Sequence, residues 1–252
     1  MSATRSSSPA ALQALERRLR RAHTLNVILA AAVVFLLIVA FARSGTGSSA
    51  TAGPAPDRSS SASSDSADSI AQRDPKDPLA IGPVDAPVVL VEFADLRCPY
   101  CAVFTRQTLP TLLKEYVDTG KVRYEFRDVA IFGDQSVDAA VALRAAAAQG
   151  RFKQYLTTLY EAAPENKHPD LPRQKLIAFA RTAGVPDLKT FEKALDSKTL
   201  AQAVHTTTSD AGSLGINSVP FFVAGDQALA GAQPLAAFQQ LLDGQLEKAD
   251  NR

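Results

Sequence analysis

The chain of 252 residues has little cysteine and almost no net charge. Its two cysteines stand together in Cys98-Pro99-Tyr100-Cys101, so no disulfide within the chain can staple another part of it. The formal charge of +1 excludes a strongly basic nucleic-acid binder, and we expect no nucleic-acid partner. An apolar fraction of 46% is sufficient for one or two ordinary cores, which excludes a wholly disordered chain.

The small net charge conceals an uneven distribution. Residues 1–43 hold six arginines against one glutamate, a balance of +5, which leaves −4 for the remainder. The sign changes across residues 25–42, an apolar segment broken only by Asn26 near its start. About 18 helical residues at 1.5 Å each reach ~27 Å, close to the ~30 Å of a hydrocarbon core. The segment therefore predicts a helix that crosses the lipid bilayer.

The arginines also predict an orientation. Four of them, Arg17, Arg18, Arg20 and Arg21, cluster shortly before the apolar segment and only Arg43 follows it closely, which predicts residues 1–24 in the cytoplasm and the rest outside the cell membrane. We expect a signal-anchor over residues 25–43. The alternative is a cleaved signal peptide, because Ala40-Phe41-Ala42 resembles a small-x-small cleavage site, and the protein would then be secreted after cleavage near Ala42.

Residues 44–78 are mainly Ser, Ala, Gly, Thr, Asp and Pro, and Ile70 is their only large aliphatic residue. Such a composition buries too little apolar surface to fold. We expect a flexible linker whose r.m.s. span of about 30 Å keeps the following domain, residues 79–252, near the membrane face.

The pattern of that domain predicts an α/β fold. Residues 87–93 and 121–129 are typical of strands, and between them residues 98–117 have the apolar spacing of a helix, which Pro110 is expected to kink. A strand at 221–224, a short strand at 228–230 and a helix at 234–248 follow later. A sheet interrupted by an all-helical insertion, about residues 134–215, is the expected architecture. Its helices are predicted at 136–149, 152–163, 172–183, 187–195 and 200–214.

The chemistry is concentrated in Cys98 and Cys101. Cys98 falls where a strand gives way to a helix, so the free N–H groups and the dipole of the helix N-terminus favour its thiolate. We expect Cys98 to be the exposed nucleophile, with Cys101 one turn further in and able to form a disulfide with it. Lowering a thiol pKa by three units needs ~4 kcal/mol, and the dipole supplies ~0.3–2 kcal/mol. Direct N–H···S hydrogen bonds are therefore required, with a contribution from Arg97 unless that side chain points into solvent.

Two other interpretations of the cysteine pair stay open. Half of a zinc site needs further ligands, and outside the N-terminal segment only His168 and His205 are candidate histidines. An inert structural disulfide would close so short a loop that it stabilises the fold little. Reactivity is the favoured interpretation, and it implies no metal and no organic cofactor.

Several segments form a set: Ile81-Gly82, residues 85–93, Cys98 to Cys101, residues 219–223 and Gly231-Ala232-Gln233. With the helical insertion, this set resembles the DsbA-like family of thioredoxin-fold oxidoreductases over residues 77–246. The resemblance is to the membrane-anchored, extracytoplasmic members of actinobacteria and other Gram-positive bacteria.

The resemblance implies roles for the matching residues. Cys98 would be the attacking thiol and Cys101 the resolving thiol, with Pro220 as the cis-proline beside their disulfide. Glu92 would be a buried acid that relays the proton of Cys101. For Pro220 an ordinary edge-strand proline stays open, and for Glu92 a partly exposed strand residue with a salt-bridge partner.

The same resemblance implies where substrate binds. The backbone of Val219 would pair with the substrate strand, and Pro99 and Tyr100 would complete the substrate-facing motif. Asn217-Ser218 departs from the family, which often has Gly-Thr before the proline, so substrate preference does not carry over.

The implied activity is that of an oxidase. It would donate the Cys98–Cys101 disulfide to reduced or unfolded exported proteins, and a quinone-linked membrane protein of the DsbB or vitamin K epoxide reductase type would reoxidise it. An isomerase or reductase of the same fold stays open, because Pro99-Tyr100 leaves the redox poise undetermined. A noncatalytic or metal-delivering thioredoxin-like module is a further alternative.

Overall fold

A computed structural model describes the protein from residue 70 to residue 251. Its single sheet contains strands β1 (Ala80–Ile81), β2 (Val88–Ala94), β3 (Val122–Asp128), β4 (Phe221–Ala224) and β5 (Gln227–Ala230). The strand order is β1-β3-β2-β4-β5. Strand β2 runs parallel to β3 and antiparallel to β4, so the sheet is mixed. All seven residues of β2 are buried, as expected of a central strand.

The segment that follows β2 is helical but not continuous. It forms α1 (Pro99–Gln107), α2 (Leu109–Leu112) and a π-helical turn (Leu113–Val117) before β3. The interruption at Thr108 has a local cause, since Pro110 has no N–H to donate to the preceding turn. The predicted kink is therefore a break between two helices.

The stretch between β3 and β4 is helical, as predicted. Its five helices are α3 (Asp134–Ala147), α4 (Phe152–Glu161), α5 (Arg173–Thr182), α6 (Leu188–Ala194) and α7 (Lys198–Ser213). A final helix, α8 (Leu235–Asp250), follows β5. The expected α/β sheet with helices inserted between two of its strands is confirmed.

An aromatic cluster packs α1 against the sheet. The ring of Phe104 on α1 lies 4.4 Å from that of Phe222 on β4 and 5.0 Å from that of Phe238 on α8, measured between centroids. All three side chains are fully buried. Such pairs contribute about 0.5–1.5 kcal/mol each beyond their burial, so the start of α1 is fixed relative to β2 and β4.

The end of the predicted linker is part of the fold. The backbone N–H groups of Gln72 and Arg73 donate to the carboxylate of Glu125 on β3, at 3.1 and 3.0 Å. Arg127 binds Asp77 at 2.9 Å from the same strand. The expectation of a flexible linker up to residue 78 is therefore wrong for residues 72–77, because polar contacts with a buried carboxylate replace the apolar burial that the segment lacks.

The predictions for residues 1–24, for the membrane segment 25–43, for cleavage near Ala42 and for the linker up to residue 69 lie outside the described residues. Between residues 70 and 251, no helix has both the length and the apolarity that crossing a bilayer requires.

Candidate active site

Cys98 is the N-cap of α1. Its backbone is extended, with φ −75° and ψ 120°, and Pro99 takes the first helical position, where the missing N–H costs nothing. The backbone N–H of Cys101 donates to the sulfur of Cys98 at 3.4 Å. The sulfur thus caps the helix, as a serine or aspartate oxygen does at other helix N-termini. This is the N–H···S hydrogen bond that was expected from the sequence.

The exposure of Cys98 differs from the prediction. We expected an exposed nucleophile, but the residue is only 2% exposed. Its sulfur lies 3.5 Å from the carbonyl oxygen of Val219, to which the thiol donates. The loop before β4 packs over the sulfur, whereas the neighbouring Tyr100 is 66% exposed. A contact between residues 121 positions apart could not be read from local spacing.

The two thiols have opposite proton affinities. The pKa of Cys98 is lowered, chiefly because the Cys101 side chain donates a hydrogen bond to its sulfur and also because the N–H groups of Cys101 and Tyr100 point at it. Burial and the charge of Asp95 oppose this effect. The pKa of Cys101 is raised well above its usual range, first by burial and then by Cys98 and Glu92. The thiolate of the pair therefore forms on Cys98.

Pro220 directly precedes β4, and its neighbour Val219 contacts Cys98. The peptide bond between Val219 and Pro220 is cis, which agrees with what the family resemblance implied. The carbonyl of Val219 is the group that contacts the Cys98 sulfur, and the carbonyl of Pro220 accepts a hydrogen bond from the N–H of Gly231 at 2.8 Å. This loop therefore contacts the redox pair through the carbonyl of Val219.

Glu92 lies in the middle of β2 and is fully buried. This burial excludes the alternative of a partly exposed strand residue. Burial raises the pKa of Glu92 to about 8, a hydrogen bond from Tyr124 lowers it and the charge of Cys98 raises it. A carboxyl group that is mostly protonated at neutral pH thus lies close enough to both cysteines to interact with their charges.

Asp95 is a site residue that the sequence reasoning missed. Its buried carboxylate accepts hydrogen bonds from the N–H of Arg97, from the N–H groups of Ile131 and Phe132, and from the hydroxyl of Ser136. Its carbonyl accepts the N–H of Cys98 at 2.9 Å. The sequence signal that could have identified Asp95 is its position, directly after a buried strand and three residues before Cys98. Asp95 connects the loop before α1 to the loop after β3.

Arg97 strengthens the same connection. It neither points into solvent nor contributes to the lowered pKa of Cys98. Its guanidinium donates to the carbonyl of Phe132 and, at 2.9 Å, to that of Pro169. The two expectations for Arg97, that it stabilises the Cys98 thiolate or that it points into solvent, are therefore both wrong. Its guanidinium binds two backbone carbonyls instead.

The sulfur of Cys98 borders an open cleft of about 780 Å³. Its walls come from the redox motif, the loop after β3, the loop before α5 and the loop before β4, and they include Pro99, Tyr100, Ile131, Phe132, His168 and Val219. The rings of Phe132 and His168 stack with centroids 4.0 Å apart. The cleft has the size and partly apolar lining of a site for a peptide segment.

Within the described part of the chain, His168 and His205 do not complete a metal site with the two cysteines. His168 is in the wall of the cleft, where its Nδ1 donates to the carbonyl of Arg97 at 2.9 Å, whereas His205 is an exposed residue of α7. Over residues 70–251, no three His, Cys, Asp or Glu side chains are grouped so that they could hold a metal ion.

Comparison with known proteins places this geometry in context. The model of the thioredoxin family matches residues 74–244. The chain is 27% identical over 151 residues to disulfide bond formation protein D of Bacillus subtilis, which corresponds to 59% of this chain and 68% of that relative.

Two solved structures have the same fold. BdbD of Bacillus subtilis in its oxidised form superposes with a TM-score of 0.63 at 24% identity, covering 67% of this chain and 92% of BdbD. Wolbachia pipientis alpha-DsbA1 superposes with a TM-score of 0.59 at 24% identity, covering 69% of this chain and 93% of that one. Together with the family match, these comparisons confirm the resemblance to DsbA-like proteins that the sequence motifs indicated.

Proposed function

Because the chain belongs to the thioredoxin family, we propose that it is a thiol–disulfide oxidoreductase that works as an oxidase of exported proteins. The observation that carries this proposal is the asymmetry of the two thiols. The pKa of Cys98 is lowered at the N-terminus of α1, and that of Cys101 is raised in the core behind it. Such a pair suits Cys98 for exchange with a substrate and Cys101 for retaining a proton.

The reaction starts with the Cys98–Cys101 disulfide. A client thiolate attacks the sulfur of Cys98, a mixed disulfide forms, and the sulfur of Cys101 leaves with the electron pair of the broken bond and takes up a proton. A second client thiolate then attacks the client sulfur of the mixed disulfide, and Cys98 leaves as a thiolate. The client loses two electrons and gains a disulfide, and the protein is left as the dithiol.

The direction of transfer follows from the stability of that reduced form. A thiolate held by hydrogen bonds at Cys98 stabilises the dithiol state and so makes the disulfide a stronger oxidant, as is general for low-pKa members of the fold. The name of the Bacillus subtilis relative, disulfide bond formation protein D, supports the same direction.

Client recognition uses the cleft beside Cys98. An extended client segment would lie along the carbonyl of Val219, next to Pro220, with Pro99 and Tyr100 on one side and Ile131 on the other. The support for this placement is that Tyr100 and Ile131 are large and exposed, 66% and 40%, and belong to the walls of the same cleft.

The cellular setting rests on the N-terminal sequence. Residues 25–43 would anchor the chain in the cell membrane with the catalytic domain outside, because the arginine excess lies before them. Removal of the segment near Ala42 would instead release the domain. In either setting a quinone-linked membrane protein of the DsbB or vitamin K epoxide reductase type would accept the two electrons and restore the disulfide.

The direct test is oxidation of a reduced, unfolded protein by the oxidised full-length chain. We expect the wild type to transfer about one disulfide per molecule and Cys98→Ser to transfer none, whereas the Cys98 thiolate of Cys101→Ser, offered a client that already carries a disulfide, should attack it and accumulate as a mixed disulfide. Tyr155→Phe, which alters a buried hydroxyl of α4 that donates to Leu176, is the matched control and should behave as the wild type. Transfer that survives in Cys98→Ser contradicts the proposal.

Redox equilibration against glutathione separates an oxidase from a reductase or isomerase. A reduction potential near −120 mV, the value of DsbA, supports the oxidase, whereas one near −270 mV, the value of thioredoxin, would show a reductant.

A further inference from the structure

Glu92 and Tyr124 form a buried pair beneath the redox cysteines. They lie on adjacent parallel strands, with Leu90 of β2 opposite Tyr124 of β3, so Glu92 is two residues further along and projects on the same face. The hydroxyl of Tyr124 donates to Oε2 of Glu92, and both residues are fully buried. The tyrosine therefore fixes one of the two carboxyl oxygens.

The other oxygen of Glu92 has no partner. Among the hydrogen bonds of residues 70–251, Oε1 of Glu92 takes part in none, although it is inaccessible to solvent. Buried polar atoms are generally satisfied, so an unpartnered one needs a reason. Since Tyr124 donates to Oε2, the proton of the neutral carboxylic acid resides on Oε1.

No Lys, Arg or His among residues 70–251 forms an ion pair with Glu92. Side chains alternate along β3, so Arg123 and Arg127 project to the face opposite Tyr124, where both bind Glu125. Burial without a cationic partner leaves the pKa of Glu92 at about 8, so the group is a neutral proton donor at pH 7.

We propose that Tyr124 is a positioning residue for proton transfer at the redox site: its hydroxyl holds Oε2 of Glu92 so that Oε1 exchanges its proton with the sulfur of Cys101. This inference deepens the proposed function and rests on it. Tyr124 makes no contact with the reacting sulfurs in this role, because it acts through Glu92.

When the Cys98–Cys101 bond breaks, the sulfur of Cys101 leaves with the bonding electron pair and takes the proton of Glu92. The transfer is downhill because the pKa of Cys101 is well above that of Glu92. The new carboxylate remains hydrogen-bonded to Tyr124 through Oε2, and water later returns the proton.

The test compares Tyr124→Phe with the wild type by the pH dependence of client oxidation. In the wild type, the rate of disulfide transfer per client thiolate should fall above about pH 8, where Glu92 has lost its proton. Because the Tyr124 hydrogen bond lowers the pKa of Glu92, the variant should move this inflection to higher pH. The loss of positioning should reduce the rate about tenfold at neutral pH, part of the usual gain from a positioned acid.

Two comparisons exclude a merely structural effect. Tyr124→Phe should have no further effect on rate or inflection in a Glu92→Gln background, since the tyrosine acts only through the acid. Tyr155→Phe, which also removes a buried tyrosine hydroxyl but one bonded to Leu176 at 3.1 Å, should leave rate and inflection at wild-type values.

Infrared difference spectroscopy of the carboxyl group reports on the same pair without turnover. The C=O band of neutral Glu92 should titrate at higher pH in Tyr124→Phe than in the wild type, even if the variant is less stable. An unchanged titration and an unchanged rate profile in the variant, with the wild type active, would overturn the inference alone. A wild-type protein that transfers no disulfide would instead overturn the proposed function.

Discussion

At the scale of single residues, one helical turn separates two sulfurs in very different surroundings. Cys98 receives hydrogen bonds from the first turn of α1, whereas Cys101 lies in the core next to a buried acid. A helix dipole alone would supply too little free energy for a thiolate, so direct hydrogen bonds are needed, first from the Cys101 side chain and then from backbone N–H groups such as that of Cys101 at 3.4 Å.

Glu92 gives a prediction about stability and pH. Its pKa is about 8 in the folded protein and near its ordinary 4.5 in the unfolded chain, so between these pH values only the folded chain holds the proton. Stability should therefore fall as pH rises across this window, by up to ~1.4 kcal/mol per unit from this group. We expect Glu92→Gln to remove that slope and to be the more stable protein at pH 8.

Urea unfolding at several pH values measures this slope. Both forms should carry Cys98→Ser, so that titration of that thiol does not contribute. A stability that is independent of pH in this window while Glu92 is present would contradict the raised pKa.

Much of the site was predictable at this scale, but not its long-range contacts. The spacing of Cys98 and Cys101 and the strand-to-helix change predicted both the N-cap and the order of the thiols. The cover provided by Val219 and the partners of Arg97 depend on loops 121 and 72 positions away along the chain, and no local pattern carries that information.

At the scale of elements, β3 connects the redox site to the segment before β1. One of its faces presents Tyr124 to the redox site, and the other presents Glu125 to the segment before β1. Glu125 is fully buried and bridges Arg123 at 2.8 Å and Arg127 on the same strand. This charge network holds residues 72–77 against β3.

Removing the charge of Glu125 should therefore be costly. Glu125→Ala leaves the nearly buried Arg123 without its carboxylate and removes one of the two carboxylates that bind Arg127, and we expect a loss of about 3–5 kcal/mol in the free energy of unfolding. The control is Asp196→Ala, which removes the partner of Arg173 from an exposed ion pair and should cost less than about 1 kcal/mol. Urea unfolding checks both, and equal losses would show that the buried network has no special weight.

A glycine fixes the turn between β1 and β2. Gly82 has φ +97°, and a Cβ there would come within 2.8 Å of Val117 and 3.0 Å of the Val122 carbonyl oxygen. Gly82→Ala should therefore destabilise the fold by about 2–4 kcal/mol. Gly244→Ala, at an open position within α8, should stabilise it by about 0.5–1 kcal/mol. Thermal unfolding distinguishes the two, and a neutral Gly82→Ala would contradict the close packing.

The elements themselves followed from periodicity, with the strand at Phe221–Ala224 and the five inserted helices near their predicted bounds. The two-residue strand β1 was missed, because Ala80–Ile81 is too short to show any period and exists through pairing with β3. Residues 72–77 were misjudged because composition reports only apolar burial, whereas this segment is held by hydrogen bonds to Glu125 and an ion pair between Asp77 and Arg127.

At the scale of the whole molecule, the cleft depends on the insertion as much as on the sheet. The loops carrying Ile131 and His168 contribute walls, and Asp95 with Arg97 fix those loops to the redox motif. The helical insertion therefore shapes the surface that clients meet while the sheet and α1 hold the sulfurs.

This division gives a prediction for client binding. Ile131→Ser removes an exposed apolar side chain from the cleft and should raise the KM for an unfolded client about tenfold, with the pKa of Cys98 unchanged. Leu214→Ser removes an apolar side chain that is 52% exposed outside the cleft walls and should leave KM unchanged. The KM values are measured by steady-state oxidation of a reduced client. Equal KM values for the two variants would show that the client binds outside this cleft.

The most direct test of the account is the ultraviolet thiolate titration of the reduced protein, taken as the difference between the wild type and Cys98→Ser. We predict a pKa clearly below the ~8.5 of a free cysteine, because the N-terminus of α1 and the Cys101 side chain stabilise the Cys98 thiolate. A pKa at or above that of free cysteine would contradict it.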